Sequence, residues 1–174
     1  MKIFLIGFMG CGKSYLGKKL AALLNFQFID VDSVIQNTHG ETVQNIFEKQ
    51  GETYFRKIES DALQNLKKWD EVVIATGGGA PCFHNNMAWM NANGVTIYLK
   101  TDPHLLFERL KSETDHRPVL GGKTDAALLD FINDKVTERE QFYNKAQIIV
   151  DQSGNGNEIV FTILEQILSR PMSN

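Results

Sequence analysis

Short apolar runs alternate with longer amphipathic stretches along this chain. The runs at Lys2–Ile6, Gln27–Asp30, 71–75, 95–99 and 147–150 predict five strands. They are near-continuously apolar rather than alternating, which suits a parallel sheet covered on both faces. Helical periodicity fills the intervals. A helix is predicted over Lys13–Leu24, with Leu16, Leu20, Leu23 and Leu24 on one face. The region 42–66 is predicted helical, with Gly51 dividing it in two. Further helices are predicted near 84–91, 103–110, 126–146 and 158–168. Asp102-Pro103 reads as a cap followed by a first-turn proline. Strand–helix alternation of this kind predicts an α/β domain in three layers, with a five-stranded parallel sheet between helices. One domain is expected over 1–170, with a tail at 171–174.

Composition narrows the class. A chain of 174 residues, 43% hydrophobic, supports one buried core. The net charge of -3 lacks the basic stripe of a nucleic-acid binder, so no nucleic-acid partner is expected. Cys11 and Cys82 form no CxxC pair and join no histidine cluster. Free thiols in a reducing compartment are the expectation. No run approaches the ~18 apolar residues of a membrane span. The chain is expected to be cytoplasmic, without a membrane partner, and to work as a monomer.

Two segments fit no regular element. Thr76-Gly77-Gly78-Gly79 follows a predicted strand, and 112–123 is polar, with Pro118 and Gly121-Gly122. A polar stretch of that length in a compact domain suits a functional or mobile loop.

The first strand runs into Gly7-Phe8-Met9-Gly10-Cys11-Gly12-Lys13-Ser14, which matches GxxxxGK[ST] between a strand and a helix. Such a loop turns backbone N–H groups and a helix N-terminus toward phosphate oxygens. Lys13 reaches the outer phosphates, and the Ser14 hydroxyl suits Mg²⁺. No Asn/Thr-Lys-x-Asp guanine motif is present, and the third strand ends in glycines rather than a Walker B aspartate. The carboxylates come from the second strand, Phe28-Ile29-Asp30-Val31-Asp32. Two aspartates two apart point the same way at a ligand-binding sheet edge. Asp30 suits a water on Mg²⁺ and Asp32 an acceptor hydroxyl, while one of the pair can equally cap a helix. Arg56 and Glu59, taken alone, read as an exposed helical pair. Three glycines at 77–79 suggest backbone in close approach to a ligand.

The loop GFMGCGKS, the strand end FIDVD, the segment FRKIE, the glycines TGGG and the later RPVL together resemble the shikimate kinase family, in its order and spacing. The resemblance implies the P-loop kinase fold with a lid. It implies transfer of the γ-phosphoryl group of ATP to the 3-hydroxyl of shikimate, with Mg²⁺. Kinases of another hydroxy acid, such as gluconate, and a non-catalytic nucleotide-binding module share the loop. The family pattern implies nucleotide contacts by Gly10, Cys11, Gly12, Lys13, Ser14, Tyr15 and Arg117. It implies Ser14 and Asp30 at the metal, and Asp32, Lys13 and Arg117 in catalysis. It implies that Asp32, Arg56, Gly77, Gly78, Gly79 and Arg139 hold shikimate, with Glu59 orienting Arg56. Arg117-Pro118-Val119-Leu120 resembles the lid segment, with Val119 where leucine is usual. After the fifth strand, where some members carry arginines beside adenine, residues 151–155 carry no positive charge.

Overall fold

The structure, a computed structural model, describes residues 1–111, 123–152 and 154–170. Five strands form one parallel sheet: β1 (Lys2–Ile6), β2 (Gln27–Asp30), β3 (Val72–Ala75), β4 (Val95–Lys100) and β5 (Ile148–Asp151). Their spatial order is β2-β3-β1-β4-β5. Seven α-helices cover the sheet among the described residues: α1 (Lys13–Leu24), α2 (Val31–His39), α3 (Val43–Asn65), α4 (Asn86–Asn93), α5 (Pro103–Lys111), α6 (Asp125–Tyr143) and α7 (Gly156–Leu168).

Strand alternation divides the core. Ile3 and Leu5 pack with Leu16, Leu20, Ile132 and Ile163 on one face. Phe4 and Ile6 pack with Ile35, Leu63, Met90 and Tyr143 on the other. Each fully buried side chain of this size contributes about 1.5–3 kcal/mol of transfer free energy. Both faces of the central strands are therefore dry, which explains their unbroken apolarity.

Two helices depart from the sequence expectation. The first is expected only as something that one of the two aspartates could cap, with no range; it runs over Val31–His39 and buries Val31 and Ile35. Asp30, rather than Asp32, caps it. The fourth helix starts at Asn86 because His84 and Asn85 both sit at positive φ, 49° and 57°. The predicted break at Gly51 is present, with φ 80° and ψ 171° inside α3. The expected lid, with Arg117, and the tail lie outside the described residues, apart from Lys123.

All strands run parallel, so the carboxyl ends of β1, β2 and β3 share one edge. That edge carries the glycine loop, Asp30 with Asp32, and the triglycine.

Candidate active site

The loop between β1 and α1 is shaped by what surrounds it. Gly7, Gly10 and Gly12 take φ of 143°, 78° and 85°. A side chain on Gly7 would stand 2.9 Å from Cys11 Sγ and 3.0 Å from the Leu99 carbonyl oxygen. The loop carbonyls are held from within the protein. Lys13 Nζ donates to the oxygens of Gly7 and Phe8, each at 2.8 Å, and lies 3.6 Å from Cys11 Sγ. Arg109 Nη1 donates to the Gly10 oxygen at 3.2 Å, and Gln152 Nε2 donates to the Cys11 oxygen. Carbonyls engaged behind the loop leave the strand-to-helix turn to present N–H groups and a helix N-terminus to an anion.

Asp30 joins this loop to the second strand. Its Oδ1 accepts from the N–H groups of Asp32 at 3.1 Å and Ser33 at 3.4 Å. Its Oδ2 accepts from Ser14 Oγ at 2.6 Å. A hydroxyl and a carboxylate in contact form a hard-oxygen pair of the kind that suits Mg²⁺. No cluster of three or more His, Cys, Asp or Glu that could hold a metal occurs among the described residues. A divalent ion here would need phosphate oxygens and water to complete its shell. With Asp30 as cap, Asp32 falls in the first turn of α2, half-buried.

The triglycine gathers the remaining charged groups. A Cβ on Gly77 would collide with Glu59 Oε1 and lie 3.2 Å from Asp32 Oδ1. On Gly78 it would lie 3.2 Å from the Met9 nitrogen and 3.6 Å from Arg139 Nη1. On Gly79 it would overlap the Arg56 guanidinium, 2.5 Å from Nη2. The three glycines are thus explained by crowding, since none of them has positive φ.

Arg56 and Glu59 are not the exposed pair that local pattern suggests. Arg56 is 8% exposed and Glu59 1%. Arg56 Nη1 donates to Glu59 Oε2 at 2.7 Å, while Nε and Nη2 donate to Glu52 Oε1 at 3.2 and 3.0 Å. The rings of Phe83, Phe55 and Phe47 lie 4.6, 5.3 and 5.5 Å from the guanidinium carbon. Phe47 reaches this position from the far side of the Gly51 kink, 4.4 Å from Phe55. Glu59 Oε1 is buried without a hydrogen-bond partner. Burial pushes the Glu59 carboxyl above its ordinary range, and Asp32 adds to this, against the opposing pull of Arg56 and Arg139.

Arg139 stands on α6, its guanidinium 5.4 Å from the Phe8 ring. One turn on, Tyr143 donates its hydroxyl to the Gly78 oxygen at 2.5 Å. Its ring packs 4.9 Å from Tyr98. Burial pushes the Tyr143 hydroxyl well above the usual phenol range. Tyr143 is a site residue that the sequence reading left without a role; its spacing from Arg139 was the available signal.

A cleft of about 290 Å³ opens beside the loop. Gly10, Cys11, Gly12, Tyr15, Arg109 and Gln152 line it, with Gly154 just before α7 and Gly156 at its first residue. Tyr15 is exposed, and its ring edge would lie 2.8 Å from a Cβ on Gly156. Arg109 and Gln152 carry no motif, and the sequence reading missed both. Of the predicted site residues, the structure brings Lys13, Ser14, Asp30, Asp32, Arg56, the triglycine and Arg139 to one sheet edge. Arg117 lies outside the described residues.

A parallel three-layer α/β sheet, a phosphate loop at its central strand and an acceptor-side cluster of charges define a P-loop, ATP-dependent phosphotransferase. A model of the shikimate kinase family matches residues 9–168, and the chain belongs to that family. Shikimate kinase of Bacteroides fragilis is 46% identical over 149 residues, covering 86% of this chain and 83% of that one. The crystal structure of shikimate kinase from Bacteroides thetaiotaomicron superposes with a TM-score of 0.92 at 40% identity, covering 97% and 98% of the two chains. Shikimate kinase from Acinetobacter baumannii, solved with shikimate, gives 0.90 at 32% identity, covering 99% and 95%. No helix among the described residues is long and apolar enough to cross a membrane.

Proposed function

We propose that this chain transfers the γ-phosphoryl group of ATP to the 3-hydroxyl of shikimate, with one domain over 1–170 carrying every group required. The reading rests on one observation above all: Asp32, Arg56 and Arg139 each lie against a different glycine of the 77–79 turn, within 4 Å of where its Cβ would stand. Shikimate is a small anion with a ring of hydroxyls. Arg56 and Arg139 grip its carboxylate, and guanidinium groups do so with paired, charge-assisted hydrogen bonds. Glu59 and Glu52 orient Arg56, and the backbone of Gly77, Gly78 and Gly79 bounds the ring. The A. baumannii enzyme, which binds shikimate, supports this assignment by its similarity over nearly the whole chain.

Asp32 accepts the proton of the 3-hydroxyl as that oxygen attacks the γ-phosphorus. The bond to the β–γ bridging oxygen breaks and ADP leaves. Lys13 exchanges its loop carbonyls for phosphate oxygens, and Gly10, Cys11, Gly12, Ser14 and Tyr15 frame the nucleotide. The base occupies the cleft beside Tyr15 and Arg109. Ser14 and Asp30 would hold Mg²⁺. When bound, Mg²⁺ neutralises charge on the β- and γ-phosphate oxygens. Arg117, by its place in the lid segment, meets the phosphates and stabilises transition-state charge. Positioning carries most of the catalysis, because in-line phosphoryl transfer asks chiefly for alignment. Every one of these groups comes from one chain, so a monomer suffices.

Spectrophotometric ADP release with shikimate, and in parallel with gluconate, tests the reading. Turnover that depends on shikimate at millimolar concentration is expected. Turnover with gluconate but not shikimate overturns it.

A further inference from the structure

A loop that offers N–H groups to phosphate must turn carbonyls the other way, and buried carbonyls need donors. Lys13 supplies two of those donors, but only until phosphate draws it away. The donors that remain come from outside the loop: Arg109 on α5, to Gly10, and Gln152 after β5, to Cys11. They also bind each other, with Arg109 Nη1 donating to Gln152 Oε1 at 3.0 Å.

Gln152 is suited to this place by chemistry and by anchorage. A primary amide donates from one end and accepts at the other. A carboxylate could not donate to Cys11, and a lysine or arginine could not accept from Arg109. The residue is only 9% exposed, and its N–H bonds the Lys100 oxygen at 2.9 Å, which fixes it to the sheet. Its two ends meet the two halves of one nucleotide site: the phosphate loop through Cys11, and the wall of the 290 Å³ cleft through Arg109. The amide stands in the segment that lacks basic residues.

We infer that Gln152 is a positioning residue for the nucleotide. It keeps the Cys11 carbonyl turned back from the phosphates and holds the Arg109 guanidinium on the cleft wall. Phosphate binding and base binding thereby share one buried amide. This rests on the reading that the cleft takes the base of ATP.

Gln152→Met removes both hydrogen-bonding ends at similar volume. The expected result is a rise of about tenfold in KM for ATP, the scale of one or two lost buried hydrogen bonds. KM for shikimate and kcat at saturating ATP stay within about twofold, because the acceptor side and the reacting groups are untouched. Arg109→Met is expected to raise KM for ATP as well. The double variant is expected to cost little more than either single one, since the two side chains act as a unit. If Arg109→Met alone leaves KM for ATP unchanged, the base-cleft reading fails. If Arg109→Met raises it while Gln152→Met does not, the cleft reading stands and the role of Gln152 is overturned. Strictly additive losses, or equal rises in both KM values, overturn it too. Should Gln152→Met melt below the assay temperature, Gln152→Asn keeps the amide but is one methylene too short to span both partners. The same split in KM is then expected, and its absence contradicts the inference.

Discussion

The carboxylate of Glu59 fills the space that a side chain on Gly77 would need. That carboxylate is also the buried partner of Arg56. A glycine in the backbone turn and a charge on α3 are therefore one feature. Gly77→Ala forces Glu59 to move, and Arg56 with it. We expect kcat/KM for shikimate to fall by about a hundredfold, the scale of misplacing a substrate clamp. ATP affinity stays near the wild-type value. Gly40→Ala is the contrast: nothing lies within 4 Å, and only its φ of 69° opposes a side chain. It should cost about 1 kcal/mol of stability and leave turnover unchanged. Steady-state kinetics and urea unfolding of the two variants check this.

The proposed mechanism gives the acceptor proton to Asp32, while Asp30 caps α2 and accepts from Ser14. Asp32→Asn keeps the size and the helix. It is expected to bind ADP normally and to lose at least about two orders of magnitude in kcat, the usual contribution of a general base. Calorimetric titration with ADP beside kinetics separates the two effects. Near-normal turnover removes Asp32 from the mechanism.

Tyr143 holds Gly78 from behind through its hydroxyl. Tyr143→Phe leaves a half-buried carbonyl without that donor, a cost of about 1 kcal/mol. We expect a lower urea midpoint and a few-fold higher KM for shikimate, with KM for ATP unchanged. Equal changes in both KM values would show a general loosening instead.

Glu59 gives a pH dependence with a definite sign. Burial raises its pKa above the ordinary 4.5, so the folded chain holds that proton more tightly than the unfolded chain. Between 4.5 and the folded value, this group's contribution to stability is lost as pH rises. Relative to Glu59→Gln, the wild type should lose stability across that window, which urea titrations at several pH values will show. Function runs the other way. Protonated Glu59 pairs poorly with Arg56, so the ratio of shikimate KM, variant over wild type, should shrink as pH falls toward 4.5. A flat ratio contradicts the assignment.

Local pattern carried much of this in the sequence. The glycine loop between strand and helix was legible because every part of it lies within eight consecutive positions, Gly7 to Ser14. The strand bounds of β1 and β2 and the whole of α1 followed from apolar runs. The capping role of Asp30 was not legible, since Asp30 and Asp32 both suit a cap and the pattern did not fix where α2 begins. Arg56 and Glu59 looked like an ordinary exposed pair, because burial depends on Phe47, Phe83 and Gly79, which fold onto them from elsewhere. Arg109 and Gln152 were invisible for the same reason: their loop partners lie 99 and 141 positions away.

The central claim is that one anion sits between Arg56 and Arg139 with a hydroxyl at Asp32. A crystal structure with ADP and shikimate tests it most directly. The carboxylate is expected to be held by both arginines, with the 3-hydroxyl within hydrogen-bond distance of Asp32 and facing the β-phosphate. A shikimate turned end for end, with its carboxylate away from the arginines or its 3-hydroxyl away from Asp32, would contradict it.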